Sequence, residues 1–178
     1  MHLSFNISTT NLTDFLTHWS SRYSYSAEHK YTNNIGKPLT KESLRELFEW
    51  KNGTGSVIAG RKANSIDENY PLSFTDDQRE RYLNYKLPGG AIWNIFFLHC
   101  LDHQTWPVFD QHTFRAMRYI QIGRIQEIGS TNKRKYDEYE SQYMPFVASL
   151  RLVIDDQRLI DKALFAFGQF LKLAKKYT

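Results

Sequence analysis

Cysteine is almost absent: Cys100 is the only one in 178 residues. A lone thiol excludes an internal disulfide, a multi-cysteine zinc site and an iron–sulfur cluster. Long apolar runs are missing as well. Segments such as Ile95-Phe96-Phe97-Leu98 fall far short of the ~20 residues that cross a bilayer. The opening Met1-His2-Leu3-Ser4-Phe5 has neither the basic start nor the apolar stretch of a secretion signal. The expected location is therefore cytoplasmic, with no membrane partner. No repeat, low-complexity tract or linker-like stretch interrupts the chain.

What is present suits a globular protein. Apolar residues make up 41% and charged residues 24%, which excludes the composition of disordered chains. The length suffices for one compact domain with a sizeable core. The net charge of +4 is a mild excess, compatible with a polyanionic partner without demanding one. Eleven Tyr and twelve Phe are more rings than a small core needs. Some are therefore expected at the surface, where they can stack on bases or pack a partner.

Spacing of apolar residues predicts helices and no strands. Leu12, Phe15, Leu16 and Trp19 fall on one helical face, with Thr9 or Thr10 as cap. Residues 20–38 read as a loop. Leu44, Leu47 and Phe48 form the stripe of a helix starting near Thr40, where Ser43 and Glu46 permit a capping box, and Asn52-Gly53 ends it. Further helices are predicted over 56–66, from Thr75 to about Tyr85, over 91–103, from Asp110 to about Ile122, and over 135–152 with a disturbance at Pro145. The last begins after Asp155 or Asp156 and buries Ile160, Ala163, Leu164, Phe167 and Leu171. The fold class is all-α.

Two turns carry chemistry. Leu87-Pro88-Gly89-Gly90 joins two helices, and glycine there lets a phosphate approach backbone N–H groups at a helix start. An ordinary helix end followed by a turn accounts for the same residues. The second turn, Trp106-Pro107-Val108-Phe109-Asp110, puts a carboxylate at a helix N-terminus. Asp is a favoured N-cap in its own right. Facing a pocket, the same carboxylate can activate water or stabilise a sugar cation. His99 and His103 have a metal-ligand spacing, but no third ligand follows, so hydrogen-bonded histidines and no metal are expected. The basic runs Lys133-Arg134-Lys135 and 172–176 read as solvated faces able to add salt-sensitive phosphate affinity.

Taken together, Leu87-Pro88-Gly89-Gly90, an apolar helix, and Pro107-Val108-Phe109-Asp110-Gln111-His112-Thr113-Phe114-Arg115 resemble the core of the endonuclease III-like helix-hairpin-helix DNA glycosylases. The late segment Asp161 to Gly168 resembles that family's late helix. The likeness covers about 76–125 and, more weakly, 155–172.

The resemblance implies a single domain over 1–178 built as two helical lobes. The helix-hairpin-helix core would occupy about 76–125, and the N- and C-terminal helices would form the second lobe. It further implies double-stranded DNA as partner and a nucleotide flipped into a site between the lobes. Asp110 would be catalytic, while Pro88, Gly89, Gly90, His112, Arg115 and Arg118 would contact DNA. Two departures qualify the activity. Gly90 directly follows Gly89, where the family has an intervening residue. The lysine of the bifunctional members is replaced by the stretch Ala91-Ile92-Trp93-Asn94; Lys86 and Lys62 are candidate substitutes that also read as surface residues. The expected function is thus a monofunctional glycosylase acting in base excision, using water, no metal and no cofactor. The alternative is a non-enzymatic module that keeps the fold and binds DNA or protein.

Overall fold

A computed structural model describes residues 11–53, 57–73, 80–84 and 89–176. Every regular element among them is helical, and none of these helices is long and apolar enough to cross a membrane. In chain order they are α1 (Leu12–Ser21), α2 (Glu28–Thr32), α3 (Lys41–Asn52), α4 (Arg61–Asn69), a 3-10 turn (Glu80–Leu83), α5 (Ala91–Leu101), α6 (Gln111–Ile122), α7 (Asn132–Glu138), a π turn (Tyr139–Tyr143), α8 (Met144–Arg151) and α9 (Gln157–Ala174).

The chain divides into two compact units. The first comprises the described residues of Met1–Ser24, Phe109–Ser130 and Asp137–Thr178. In it α9 packs against α1, α6 and α8. The predicted α9 stripe, Ile160, Ala163, Leu164, Phe167 and Leu171, is buried throughout. Phe15 and Trp19 of α1 lie 5.0 Å from the Phe167 ring. Each fully buried Leu or Phe here contributes about 1.5–3 kcal/mol. The second unit comprises the described residues of Tyr25–Val108 and Thr131–Tyr136. Its core gathers Leu44, Leu47 and Phe48 of α3 with Phe96, Phe97 and Leu98 of α5, closed by Tyr31 and Ile66.

Several local expectations need correcting. The loop over 20–38 contains α2, whose five residues carry one buried apolar side chain, Tyr31. A helix so short has no periodic stripe to read, and it is held by packing, with Tyr31 4.5 Å from Trp50. The helix predicted over 56–66 starts at Arg61, after Gly60 at φ +61°. Ile58 precedes it and donates its N–H to buried Glu49 at 2.8 Å. The capping box of α3 uses Thr40 and Ser43, one turn before the pair expected. Asn11 caps α1 through the Asp14 N–H, while Thr9 and Thr10 lie outside the described residues. Of the charged helix expected from Thr75 to Tyr85, only 80–84 are described. The disturbance assigned to Pro145 falls just before it. Proline lacks an N–H and its ring collides with the carbonyl four residues back. The chain widens into the π turn, where the Met144 N–H reaches the Tyr139 carbonyl five residues away.

Candidate functional site

Asp110 caps α6 in the first unit. Its Oδ1 accepts the N–H groups of His112 at 2.8 Å and Thr113 at 3.0 Å. Thr113 Oγ1 in turn accepts the Asp110 N–H at 3.0 Å, completing a capping box. The sequence Asp-Gln-His-Thr folds this way because Asp and Thr are three apart at the start of an amphipathic stretch. The aspartate is half-buried and Thr113 fully buried, so the carboxylate is held in one orientation at the positive end of a twelve-residue helix. Phe109, directly before it, anchors the turn between Tyr139 and Tyr143, each 5.1 Å away. Burial pushes both tyrosine hydroxyls well above their usual titration range, and the Asp161 carboxylate adds to the shift.

His112 stands one step into the helix. Its ring lies 4.9 Å from Phe165, and its Nδ1 faces Arg115 Nη1 at 3.3 Å. Burial holds the imidazole below its ordinary value, although the Asp110 charge pulls the other way. The histidine backbone is also where α6 meets α9. A β-carbon on Gly168 would sit 2.5 Å from the His112 carbonyl carbon and closer still to its oxygen. Only glycine allows this crossing.

Arg115 is not the exposed DNA contact that the sequence suggested. It is 2% exposed. Nη1 donates to the Gly168 carbonyl at 3.0 Å and Nη2 to Glu127 at 2.8 Å. The guanidinium is turned inward, with its Nη groups on these acceptors and its Nε buried without one, so burial keeps it from a phosphate. Burial pushes the Glu127 carboxyl upward, but its hydrogen bonds with Arg115 and Lys175 outweigh this and leave it below the usual range. Arg118 is half-buried and points its donors at Gln126, Gln121 and Gln142, the first at 2.7 Å. Neither arginine is hydrogen-bonded to Asp110 among these contacts. Asp110 is held by the His112 and Thr113 amides and by the Thr113 hydroxyl.

The hairpin glycines belong to the second unit, and Pro88 lies outside the described residues. Gly89 is exposed at φ +94° and Gly90 takes φ +83° as N-cap of α5. Behind them runs a buried polar chain. The Tyr70 hydroxyl donates to Asn94 Oδ1 at 2.8 Å, and Asn94 Nδ2 donates to the Tyr136 hydroxyl at 2.9 Å. A β-carbon on Gly89 would overlap the Tyr70 hydroxyl and lie 2.9 Å from Asn94 Oδ1. One amide expected to face phosphate is already engaged: the Ala91 N–H donates to Asn132 Oδ1 at 3.2 Å. Asn132 and Tyr136 escaped sequence reasoning because they lie 41 and 42 residues from their partners. Gly168 was the one detectable signal, a glycine inside an apolar helical stripe.

His99 is fully buried in the second unit, with Nδ1 2.6 Å from the Trp106 carbonyl and Nε2 2.8 Å from the Tyr31 hydroxyl. Both ring nitrogens are thus committed, and no group of three His, Cys, Asp or Glu side chains among the described residues could hold a metal ion. Leu44, Tyr70, Pro71 and Leu72 line a groove in this unit, with Lys41 and Asp67, and none of the candidate site residues named from the sequence lines it. Compared with known protein families, with curated proteins and with solved structures, the chain matches none.

Proposed function

We propose that the protein is a monofunctional DNA glycosylase of the helix-hairpin-helix type, with Asp110 at its catalytic centre. One observation carries the reading. The carboxylate expected to act is held in a single orientation at a helix N-terminus by two amides and a reciprocal threonine, and it remains half-buried rather than enclosed. In the proposed step the N-glycosidic bond to a flipped, modified base breaks and the base departs with the bonding electrons. Asp110 faces the positive charge that develops on the sugar. It accepts a proton as a water oxygen bonds to the anomeric carbon. The segment Ala91-Ile92-Trp93-Asn94 offers no amine, so water is the nucleophile. The exposed turn at Gly89 gives the duplex backbone a close approach.

Asp110→Asn separates this role from capping. Asparagine caps as well as aspartate, so stability should stay within about 0.5 kcal/mol. Duplexes carrying a panel of modified bases, heated in alkali to cleave abasic sites, measure the activity. The wild type should produce abasic sites at one class of lesion. The asparagine variant should lose at least ~100-fold, the usual scale for a general acid–base group. Intact lesions throughout the panel, or full activity in the variant, would refute the reading.

The complete capping box supports a second reading. It accounts for Asp110 by structure alone, as expected of a non-enzymatic module that binds DNA or protein. Duplex binding without excision from any lesion selects that reading.

A further inference from the structure

The groove beside α3 lies within the second unit and has a volume of about 370 Å³. This falls in the ~300–1,000 Å³ range of pockets that hold small molecules. Two stretches shape it: Leu44 comes from α3, and Tyr70, Pro71 and Leu72 follow the end of α4. Leu44 and Tyr70 are each 2% exposed, so the core holds them in place. The Tyr70 hydroxyl is turned to buried Asn94 at 2.8 Å, which leaves ring carbon for the groove. Leu72 is 41% exposed, a large apolar side chain standing in water.

Two charged side chains line the same groove, and they are not equivalent. Arg45 binds Asp67 with both ends of its fork, Nε on Oδ1 at 3.1 Å and Nη2 on Oδ2. Those bonds hold the Asp67 carboxyl below its usual range, and the charge of Lys41 adds to the effect. The Lys41 ammonium is exposed and takes no part in the hydrogen bonds or ion pairs of the described residues. Glu42, the acid next to it, does not line the groove. Its carboxyl is held below the usual range chiefly by its own amide and the Thr40 hydroxyl, at the start of α3. An incoming cation therefore finds its acceptor taken, whereas an incoming anion finds a donor. A protein partner would cover ~800 Å². Leu72 and Val57 are the exposed large apolar side chains of this unit among the described residues, and only Leu72 lines the groove. The surface thus suits a small molecule better than a second chain.

We infer that the groove binds a small amphipathic monocarboxylate, its apolar body against Leu44, Tyr70 and Leu72 and its carboxylate paired with Lys41. Asp110 belongs to the first unit and does not line the groove, so excision and this binding are tested independently.

The test is an NMR titration of the isotope-labelled full-length protein at constant ionic strength. Three probes share one apolar body: phenylbutyrate, phenylbutanol and phenylbutylamine. Phenylbutyrate has about a dozen heavy atoms and should bind with a Kd of roughly 1–5 mM. It should shift the amides of Leu44, Asp67, Tyr70, Leu72 and Ser73 ahead of all others. The alcohol should bind ~3–5-fold more weakly, the scale of an exposed ion pair, and the amine more weakly still. Lys41→Gln should weaken phenylbutyrate by ~3–5-fold and leave the alcohol unchanged. Arg61→Gln, which removes an exposed cation of the same unit outside the groove, should change neither. Leu72→Ser should weaken both by at least ~3-fold, because both bury the same apolar body. Spectra of the ligand-free variants confirm that they remain folded. Equal affinity for the acid and the alcohol, or tighter binding of the amine, overturns the carboxylate site. An effect of Lys41→Gln no larger than that of Arg61→Gln overturns it as well. So does the absence of shifts in these amides at ~20 mM phenylbutyrate, or shifts spread evenly over the chain.

Discussion

Gly168→Ala should destabilise the protein even though alanine is the better helix former. Gly168 lies inside α9, where replacement by alanine ordinarily gains about 0.8–1 kcal/mol. Here the new methyl carbon would meet the backbone of His112, 2.5 Å from its carbonyl carbon and 2.8 Å from its Cα. Carbon atoms in good contact are ~3.5–4.0 Å apart, so the two helices must separate locally by about 1 Å. The obstacle is backbone, so no side chain can rotate out of the way. Overpacking of this kind costs about 1–3 kcal/mol, and the upper end applies when nothing can yield. The carbonyl of Gly168 itself accepts Arg115 Nη1, so parting the helices also loosens a buried guanidinium.

The net expectation for Gly168→Ala is a loss of about 2 kcal/mol, which for a chain of this length lowers Tm by ~4–8 °C. Thermal and urea denaturation followed by circular dichroism measure it. Because His112 is two residues from Asp110, the base excision proposed for Asp110 should also fall beyond what unfolding at the assay temperature explains. A Tm that is unchanged or raised would refute the reasoning, since helix propensity would then have outweighed a backbone contact that the structure makes unavoidable.

Gly89→Ala should cost about 2–3 kcal/mol, because alanine is strained at φ +94° and its methyl would displace the Tyr70 hydroxyl, leaving buried polar groups unpaired. Urea midpoints measure this, and a loss below ~0.5 kcal/mol would show that the Tyr70–Asn94 bond is dispensable. His112 should make the protein less stable in acid. Burial depresses its folded-state value below the ordinary 6.5, so as pH falls through 6.5 the unfolded chain takes up a proton that the folded chain does not. Stability therefore falls from about pH 6.5 down to the folded-state value and levels off below it. Urea midpoints at about pH 7.5 and 5 should fall further in the wild type than in His112→Gln, and an equal fall would rule out this origin.

Within the first unit, the features read correctly from sequence are those written within one helical turn. The α9 stripe recurs every three or four residues, and Asp110 stands directly before the residues whose amides it caps. The charged residues were harder to read. Arg115 and Arg118 look alike in sequence, three apart on one helix. Arg115 is buried against α9 and Glu127, whereas Arg118 lies among glutamines. Nothing local distinguishes them, because the difference comes from Gly168, 53 residues further along. The Lys133–Lys135 run, in isolation a solvated face, acquires a defined place only through Asn132 and Tyr136.

The sequence by itself determined an all-helical chain, a carboxylate at the head of α6, and a Gly-Gly turn before an apolar helix. Helix stripes and caps depend on interactions spanning three or four residues, so they can be read without folding the chain. Tertiary structure alone decided which cations are buried and which face outward. It also decided that Gly168 must remain glycine and that one amide of the hairpin helix belongs to Asn132. These outcomes depend on pairings across some 40 to 50 residues, and such partners become neighbours only when hydrophobic burial has brought the helices together.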